Sequence, residues 1–185
     1  GVRRGEALGL KWGDFDFAAD QVHILRDIDF TGSTSSEGTL KTAAADRFIP
    51  VPAVLKEMLL PKRKAADAYV FHTPSGAPLP QASYKRMWSR LMVACGCVTW
   101  REIKPGTSDI LKQVKPTLTP HYFRHNYVTL LYESGVDPLI AMKIVGHTDY
   151  QTTANIYTHL KEETLRRASV NMEKVFADRE KGEVG

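Results

Sequence analysis

The sequence predicts an α+β fold that is mostly α-helical, with a small antiparallel β-sheet near the N-terminus. Two short segments, 21–30 and 47–51, contain β-branched residues and partly alternate between apolar and polar positions, which is typical of half-buried strands. The span between them is rich in Gly, Ser and Thr and predicts long turns. Helix-start signals dominate the rest of the chain, and 185 residues suit one domain with one core.

Two helices and a long loop are predicted for the middle of the chain. Pro52 begins a helix that runs through Leu60, and Pro80 begins another that ends at Gly96. The second helix carries an apolar side formed by Met87, Trp88, Leu91 and Met92. From Cys97 to Thr117 no periodicity persists, which predicts a mobile or functional loop longer than most ordered connections.

Two further helices are marked by a capping residue followed by proline. These pairs, with the glycine that ends each helix, are Thr119 and Pro120 with Gly135, and Asp137 and Pro138 with Gly146. After Asp149 another helix is predicted to hold Tyr157. A final amphipathic helix follows, with an apolar stripe at Leu165, Met172, Val175 and Phe176, and residues 181–185 are predicted to fray.

Composition and charge exclude some classes of protein. The chain is 43% hydrophobic and 25% charged, and no run approaches the roughly 18 apolar residues of a membrane span. The net charge of +4 favours an anionic partner without identifying it. Cys95 and Cys97 fit neither a zinc quartet nor a disulfide framework, so free thiols in a reducing cytoplasm are expected. Because the sequence begins at Gly1 within what resembles the middle of a protein, we expect further domains upstream.

The most informative segment is Gly146 to His159, with the sequence GHTDYQTTANIYTH. A tyrosine at a fixed distance after a Gly-His turn, with a second histidine nearby, suggests a nucleophile rather than a packing residue. Tyr157 is preferred to Tyr150 because of its helical spacing after the Thr-Thr pair. His159 stays open between a supporting and a surface role.

Cationic side chains cluster at the start of the helix that follows Thr119. His121 and Arg124 are three residues apart and share a face, close to the free N–H groups and positive dipole of the helix N-terminus, which favour an anion. His121 and His125 also have the spacing of helical zinc ligands, but Tyr122 stands where a metalloprotease needs Glu. A surface helix remains the alternative for His121.

Arginine also stands beside a carboxylate at the start of the chain. Arg3 presents a planar fork that can hold two phosphate oxygens, and Glu6, three residues later, can fix its guanidinium. A solvated helix start is the alternative. Lys41 lies in a turn-rich stretch, but its spacing from Gly32 and Gly38 does not match a P-loop, so nucleotide hydrolysis is not expected.

Taken in order, these motifs resemble the catalytic domain of the tyrosine recombinase (phage integrase) family over nearly the whole chain. The residues that carry the resemblance are Arg3 with Glu6, Lys41 before the sequence RFIP at 47–50, His121 with Arg124 and His125, Gly146 with His147, and Tyr157 with His159. The resemblance implies a catalytic domain over 1–180 and a tail over 181–185, without the first helix and the amino-terminal DNA-clamping domain that members of the family carry.

The resemblance also implies roles for these residues. Arg3, Arg124 and His147 would stabilise a phosphodiester in its transition state, and Tyr157 would attack the phosphorus. His121 is the candidate base and Lys41 the candidate general acid, with Glu6, His125 and His159 in support. The product would be a 3′-phosphotyrosyl enzyme, and no cofactor or metal is implied.

The implied partner is double-stranded DNA at attachment sites of a phage or integrative element. The family resemblance implies a tetramer on paired sites, a monomer for this chain alone, no membrane, and a location with the bacterial nucleoid in the cytoplasm. Two alternatives stay open: relaxation of supercoils, as by a type IB topoisomerase, and a DNA-binding or regulatory protein that has lost catalysis. The final helix is expected to pack either on its own domain or on a neighbouring protomer.

Overall fold

The computed structural model describes residues 1–31, 34–40, 42–101 and 114–182, with the side chains of the last helix given up to residue 173 apart from residue 167. The helices are α1 (Arg4–Gly9), α2 (Ala53–Leu59), α3 (Gln81–Ala94), α4 (Pro120–Glu133), α5 (Pro138–Val145) and α6 (Tyr150–Gly182). The strands are β1 (Phe15–Asp16), β2 (Gln21–Ile24), β3 (Asp27–Thr31), β4 (Thr34–Gly38), β5 (Arg47–Pro50), β6 (Val98–Trp100) and β7 (Val114–Pro116). Helices therefore dominate the described residues, as the sequence predicts.

The predicted antiparallel sheet is formed by β1, β2 and β5 in that order. Val22 of β2 lies opposite Phe15 on one side and Ile49 on the other. Every second residue of β5 is buried, which is the period of a strand with one face on the core. The apolar residues of this face join one core cluster, formed by Phe15, Val22, Ile24, Ile49 and Val51.

The prediction of one strand over 21–30 is wrong in detail. The chain leaves the sheet at Leu25 and Arg26, and β3 then pairs with β4 in a separate hairpin. Arg26 lies between the two strands, and its guanidinium binds the buried Asp14 carboxylate at 2.6 Å and 2.9 Å. β4 has the polar sequence TSSEG, which lacks the apolar alternation of a strand and reads as a turn.

The capped helices appear close to their predicted bounds. The Asp137 side chain accepts hydrogen bonds from the backbone N–H groups of Leu139 and Ile140 and so caps α5. Gly146 ends this helix with φ of 75°, the left-handed conformation that glycine adopts without strain. Thr119 occupies the N-cap position of α4, but its side chain makes no capping hydrogen bond.

The C-terminal part of the chain differs from the sequence prediction. The predicted nucleophile helix and amphipathic helix are one helix, α6, of 33 residues that continues through Gly182, so the backbone does not fray at 181. Leu165 and Met172 of the predicted apolar stripe are 61% and 59% exposed. The side chains of Val175 and Phe176, and residues 183–185, lie outside the described residues.

The ends of the predicted 97–117 loop are ordered as a strand pair. Thr99 of β6 lies opposite Lys115 of β7. Residues 102–113, the centre of this loop, lie outside the described residues.

Helices α4, α5 and α6 pack around a second apolar cluster, formed by Val128, Leu131, Ala141, Val145 and Tyr157. In a third apolar cluster, Leu8 of α1 packs with Ile28 of β3 and Tyr84 of α3. Residues at the N-terminal ends of α1 and α4 line one cleft. Among the described helices, none combines the length and the apolar character that a membrane span requires.

Candidate active site

A buried carboxylate lies at the centre of the predicted site. Glu6 is 1% exposed and accepts hydrogen bonds from Arg3 Nη1 at 2.8 Å, from Arg47 Nη2 at 2.9 Å and from the backbone N–H of Arg3 at 2.7 Å. Burial alone would raise the pKa of Glu6, but the hydrogen bonds and charge of Arg47 and Arg3 lower it below its ordinary value. Glu6 is therefore ionised at neutral pH and fixes two guanidinium groups, as the sequence predicts for Arg3.

Arg47 is the site residue that the sequence reasoning did not assign. It is 7% exposed, and its Nε donates to the carbonyl of Ile144 at 2.9 Å while its Nη atoms reach Glu6. The position of Arg47 in its strand could have indicated that its side chain is buried. An arginine in register with the buried Ile49 and Val51 points to the core side of β5, and a buried arginine requires a partner.

Arg124 lies in the second turn of α4 and is 4% exposed. Its Nη1 donates to the carbonyl of Gly1 at 2.7 Å, whereas its buried Nη2 has no hydrogen-bond partner. Burial, and then the nearby charge of Arg3, lower the pKa of Arg124 to about 10, so the group stays protonated at neutral pH. A buried cation with an unsatisfied donor is a site that an anion stabilises.

His147 follows Gly146 directly and is half-buried. Its Nδ1 lies 2.9 Å from Oγ1 of Thr153, which is 0% exposed. Burial, followed by the charges of Arg124, Arg3 and Arg47, lowers the pKa of His147 to about 4. The imidazole is therefore neutral at pH 7, and when Thr153 donates to Nδ1 the ring proton resides on Nε2, which is then a hydrogen-bond donor.

The cleft between α1 and α4 has a volume of about 480 Å³. Arg3 and Arg4 line it from α1, and Pro120, His121 and Arg124 line it from α4. The N-terminus of α4 opens into this cleft, so its unpaired N–H groups add to the positive charge. Asp27 and Asp29 of β3 also line the cleft, with Asp27 next to Gly5 of α1.

Tyr157 lies in the core beneath α4 and α5 and is not among the residues that line the cleft. Its ring is 8% exposed and meets the ring of Tyr132 edge-on with centroids 5.2 Å apart. Its hydroxyl donates to the carbonyl of Val136 at 3.1 Å. Val136 follows the C-terminal end of α4, whereas Arg124 lies near its N-terminal end. Because a helix rises about 1.5 Å per residue, the Tyr157 hydroxyl and Arg124 are separated by most of the length of α4.

The environment of Tyr157 also disfavours its reactive form. Burial, and then the charge of Asp137, raise the pKa of Tyr157 above its ordinary value. The structure therefore holds the predicted nucleophile apart from the predicted phosphate site and in its protonated state.

The remaining predicted residues lie at the edge of the site or outside it. His121 is exposed at the cleft, and His125 and His159 are exposed on α4 and α6. Lys41 lies outside the described residues. Among the residues that the structure describes, no three His, Cys, Asp or Glu side chains are arranged to hold a metal ion.

Comparison with known proteins identifies the family of this chain. The sequence profile of the phage integrase family matches residues 1–164. The chain is 28% identical over 185 residues to a tyrosine recombinase XerC-like protein of Caldanaerobacter subterraneus, covering 86% of this chain and 43% of that protein. It is 30% identical over 190 residues to the integrase of Staphylococcus phage L54a, covering 95% and 49%. The chain thus spans about half the length of these relatives.

Solved structures share the fold. The integrase of the Tn1549 transposon, solved in complex with a circular intermediate DNA, superposes with a TM-score of 0.61 at 23% identity, covering 88% of this chain and 54% of that one. The XerA recombinase superposes with a TM-score of 0.56 at 23% identity, covering 92% of this chain and 52% of that one. With its arginines, histidine and tyrosine in this fold and the family profile extending over residues 1–164, the chain belongs to the phage integrase family.

Proposed function

We propose that this chain is the catalytic part of a site-specific DNA recombinase that breaks and rejoins strands through Tyr157. The observation that supports this proposal best is the buried Arg124, whose Nη2 has no partner and which lies beside Arg3 at a cleft open to solvent. A phosphodiester supplies the anionic oxygens that such guanidinium groups bind.

The reaction is a transesterification at phosphorus. The Tyr157 oxygen forms a bond to the phosphorus while the bond to the 5′ oxygen of the next nucleotide breaks. The phenol loses its proton, and the leaving 5′ oxygen gains one. The product is a 3′-phosphotyrosyl protein and a free 5′ hydroxyl, so the 5′ hydroxyl of another strand can reverse the step without ATP.

The charges of the site fit this reaction. Arg3 and Arg124 bind the non-bridging oxygens, and His147 donates to them from the α5–α6 turn, which stabilises the charge of the transition state. His121, exposed at the cleft, is the proposed base that assists Tyr157, and Lys41 is the proposed acid for the 5′ oxygen.

A conformational step is part of the proposal. Tyr157 donates to the carbonyl of Val136, so its hydroxyl must leave this contact and the first turns of α6 must shift before it reaches the cleft. We propose that assembly on DNA stabilises the shifted state, with double-stranded attachment sites as the substrate, a tetramer on paired sites and the bacterial nucleoid as the location.

A second candidate function is DNA binding without catalysis. The observation that favours it is the buried Tyr157 hydroxyl, with its pKa raised by burial. A protein whose tyrosine never leaves the core would keep the phosphate-binding cleft and cut nothing.

One experiment separates the two functions. The wild-type chain is incubated with a library of nicked duplexes of random sequence at low salt, and covalent complexes are recovered under denaturing conditions and sequenced. We expect covalent complexes, because the nick lets the fragment with the free 5′ hydroxyl diffuse away, which traps the phosphotyrosine. One DNA sequence should be enriched among them, since the proposed recombinase is site-specific.

The matched control is Tyr157→Phe, which removes only the hydroxyl and the hydrogen bond to Val136. It should bind the enriched DNA and form no covalent complex. Covalent capture by Tyr157→Phe would refute the assignment of the nucleophile, and binding without capture by the wild-type chain would favour the second candidate function.

A further inference from the structure

Arg47 lies at the junction of the elements that carry the site, although it does not line the cleft. Its side chain is 6% exposed. Nη1 donates to Glu6 Oε1 at 3.1 Å and to the carbonyl of Ala45 at 2.8 Å, and Nη2 donates to Glu6 Oε2 at 2.9 Å. Nε donates to the carbonyl of Ile144 at 2.9 Å. Each nitrogen of the guanidinium is therefore occupied, and none is available to a phosphate at the cleft.

The guanidinium of Arg47 also packs against the turn that carries His147. A Cβ added to Gly146 would lie 2.8 Å from Cζ, Nε and Nη1 of Arg47, closer than a methyl group can approach. Gly146 and His147 both donate their N–H groups to the carbonyl of Met142, at 2.8 Å and 3.1 Å, which defines the turn. The turn and the guanidinium are thus in direct contact.

Arg3 binds the same turn from the cleft side. Its Nη2 donates to the carbonyl of Gly146 at 2.9 Å, and its Nη1 donates to Glu6 at 2.8 Å. Glu6 and the end of α5 are therefore each shared by Arg3 and Arg47. A planar fork with several donors can hold both partners together, whereas the single ammonium group of a lysine cannot.

We propose that Arg47 is a positioning residue that fixes Arg3 and His147 relative to each other, acting through Glu6 and the carbonyl groups at the end of α5. This inference rests on the proposed function, because it concerns the residues that would bind the phosphate. Arg47 itself does not touch the substrate.

The first test measures cleavage by Arg47→Lys, which keeps the charge and loses the fork. Single-turnover formation of the covalent DNA complex should slow by about a hundredfold, the scale for displaced groups at a reacting centre. Affinity for the same DNA should change little, since the cleft keeps Arg3 and Arg124. Cleavage at the wild-type rate would overturn the proposal.

The matched control is Ile49→Ala, on the same face of the same strand. Ile49 is 6% exposed and belongs to the apolar cluster of the sheet, so its truncation destabilises β5 without removing a hydrogen bond to Glu6 or to the α5–α6 turn. At a temperature where both variants are folded, Ile49→Ala should cleave near the wild-type rate. An equal loss in both variants would show that Arg47 acts only on stability, and the proposal would be wrong.

The second test does not depend on cleavage. In protein with ¹⁵N-labelled histidine, the His147 ring resonances, assigned by their loss in His147→Gln, should shift in Arg47→Lys and stay in place in Ile49→Ala. Unchanged resonances in Arg47→Lys would overturn the positioning role. If the wild-type chain forms no covalent complex at all, the proposed function fails and this measurement alone decides whether Arg47 positions His147.

A second variant covers the case in which Arg47→Lys does not fold. Gly146→Ala places a methyl group against the guanidinium of Arg47 and, because Gly146 has a φ of 75°, also strains the turn that carries His147. It should shift the same His147 resonances and slow cleavage, and wild-type resonances in this variant would contradict the proposal.

Discussion

The burial of Arg124 costs the free protein stability, but it suits the binding of an anion. Its guanidinium is almost fully buried, one nitrogen has no partner, and Arg3 nearby repels it. Burying an unsatisfied donor costs free energy, on the order of 1–3 kcal/mol for a typical group. A phosphate oxygen would accept a hydrogen bond from this nitrogen. Binding sites are where such a local loss of stability is expected.

Replacement of Arg124 should separate cleavage from stability. We expect Arg124→Ala to slow single-turnover cleavage by at least about a hundredfold, the scale for the loss of one donor that stabilises developing charge. The free energy of unfolding should fall little, because the loss of the hydrogen bond to Gly1 is offset by removal of the unsatisfied Nη2 and of the repulsion by Arg3. The control is Arg63→Ala, since Arg63 lies over the ring of Phe17 and away from the cleft. A cleavage rate for Arg124→Ala near that of the control would remove Arg124 from the site.

His147 predicts a pH dependence of stability. Its pKa is lowered from 6.5 to about 4 in the folded protein, so between these values the unfolded chain binds more protons than the folded one. The free energy of unfolding should therefore fall as the pH is lowered from about 6.5 towards 4, and this contribution should be fully present above 6.5.

The measurement compares urea unfolding of the wild-type chain and His147→Gln across this pH range. The difference between the two proteins isolates His147 from the other groups that titrate there. A constant difference between pH 7 and pH 4 would contradict the lowered pKa.

At the scale of elements, the turn from α4 to α5 has two roles. The carbonyl of Val136 accepts a hydrogen bond from the Tyr157 hydroxyl. The next residue, Asp137, caps α5, and its charge adds to burial in raising the pKa of Tyr157. The end of α5, at Ile144 and Gly146, is held by Arg47 and Arg3. Helix α5 therefore connects the position of the tyrosine at its start with the arginines at its end.

The cap of α5 gives a prediction for stability. Asp137→Ala should lower the free energy of unfolding by about 1 kcal/mol, the usual cost of losing a side-chain cap. Asp137→Asn keeps an oxygen that can accept from Leu139 and Ile140, so its loss should be smaller. Chemical denaturation of the three proteins checks this, and equal losses for Ala and Asn would mean that the charge, not the cap, stabilises α5.

The elements also show what can be predicted from local sequence. α5 is predictable because Asp137, Pro138 and Gly146 each act on their own turn of backbone. The β3–β4 hairpin is not, because β4 is polar. The hydrogen bond from Arg26, just before β3, to Asp14 is not predictable either. That contact joins residues 12 positions apart, and local patterns do not report it.

At the scale of the whole molecule, the net charge of +4 and the cleft predict salt-dependent DNA binding. The logarithm of the affinity should fall linearly with the logarithm of the salt concentration, with a slope of about −0.9 per phosphate contacted. Arg4→Ala removes an exposed arginine at the cleft and should reduce the steepness by about one contact. Tyr157→Phe should leave the slope unchanged, and an equal change in both variants would argue against a phosphate contact by Arg4.

The helical α+β class and the capped helices are predictable from the sequence alone. So are Arg3, Glu6, Arg124 and His147 as candidate residues of one site, which the structure brings together. These follow from local backbone signals and from motifs whose residues are few and closely spaced. Only the tertiary structure placed Arg47 beside Glu6, 41 positions away, and placed Tyr157 in the core rather than at the cleft. The physical reason is that burial and long-range hydrogen bonds decide which polar groups share a site, and both arise only when α1, β5 and the α5–α6 turn pack together.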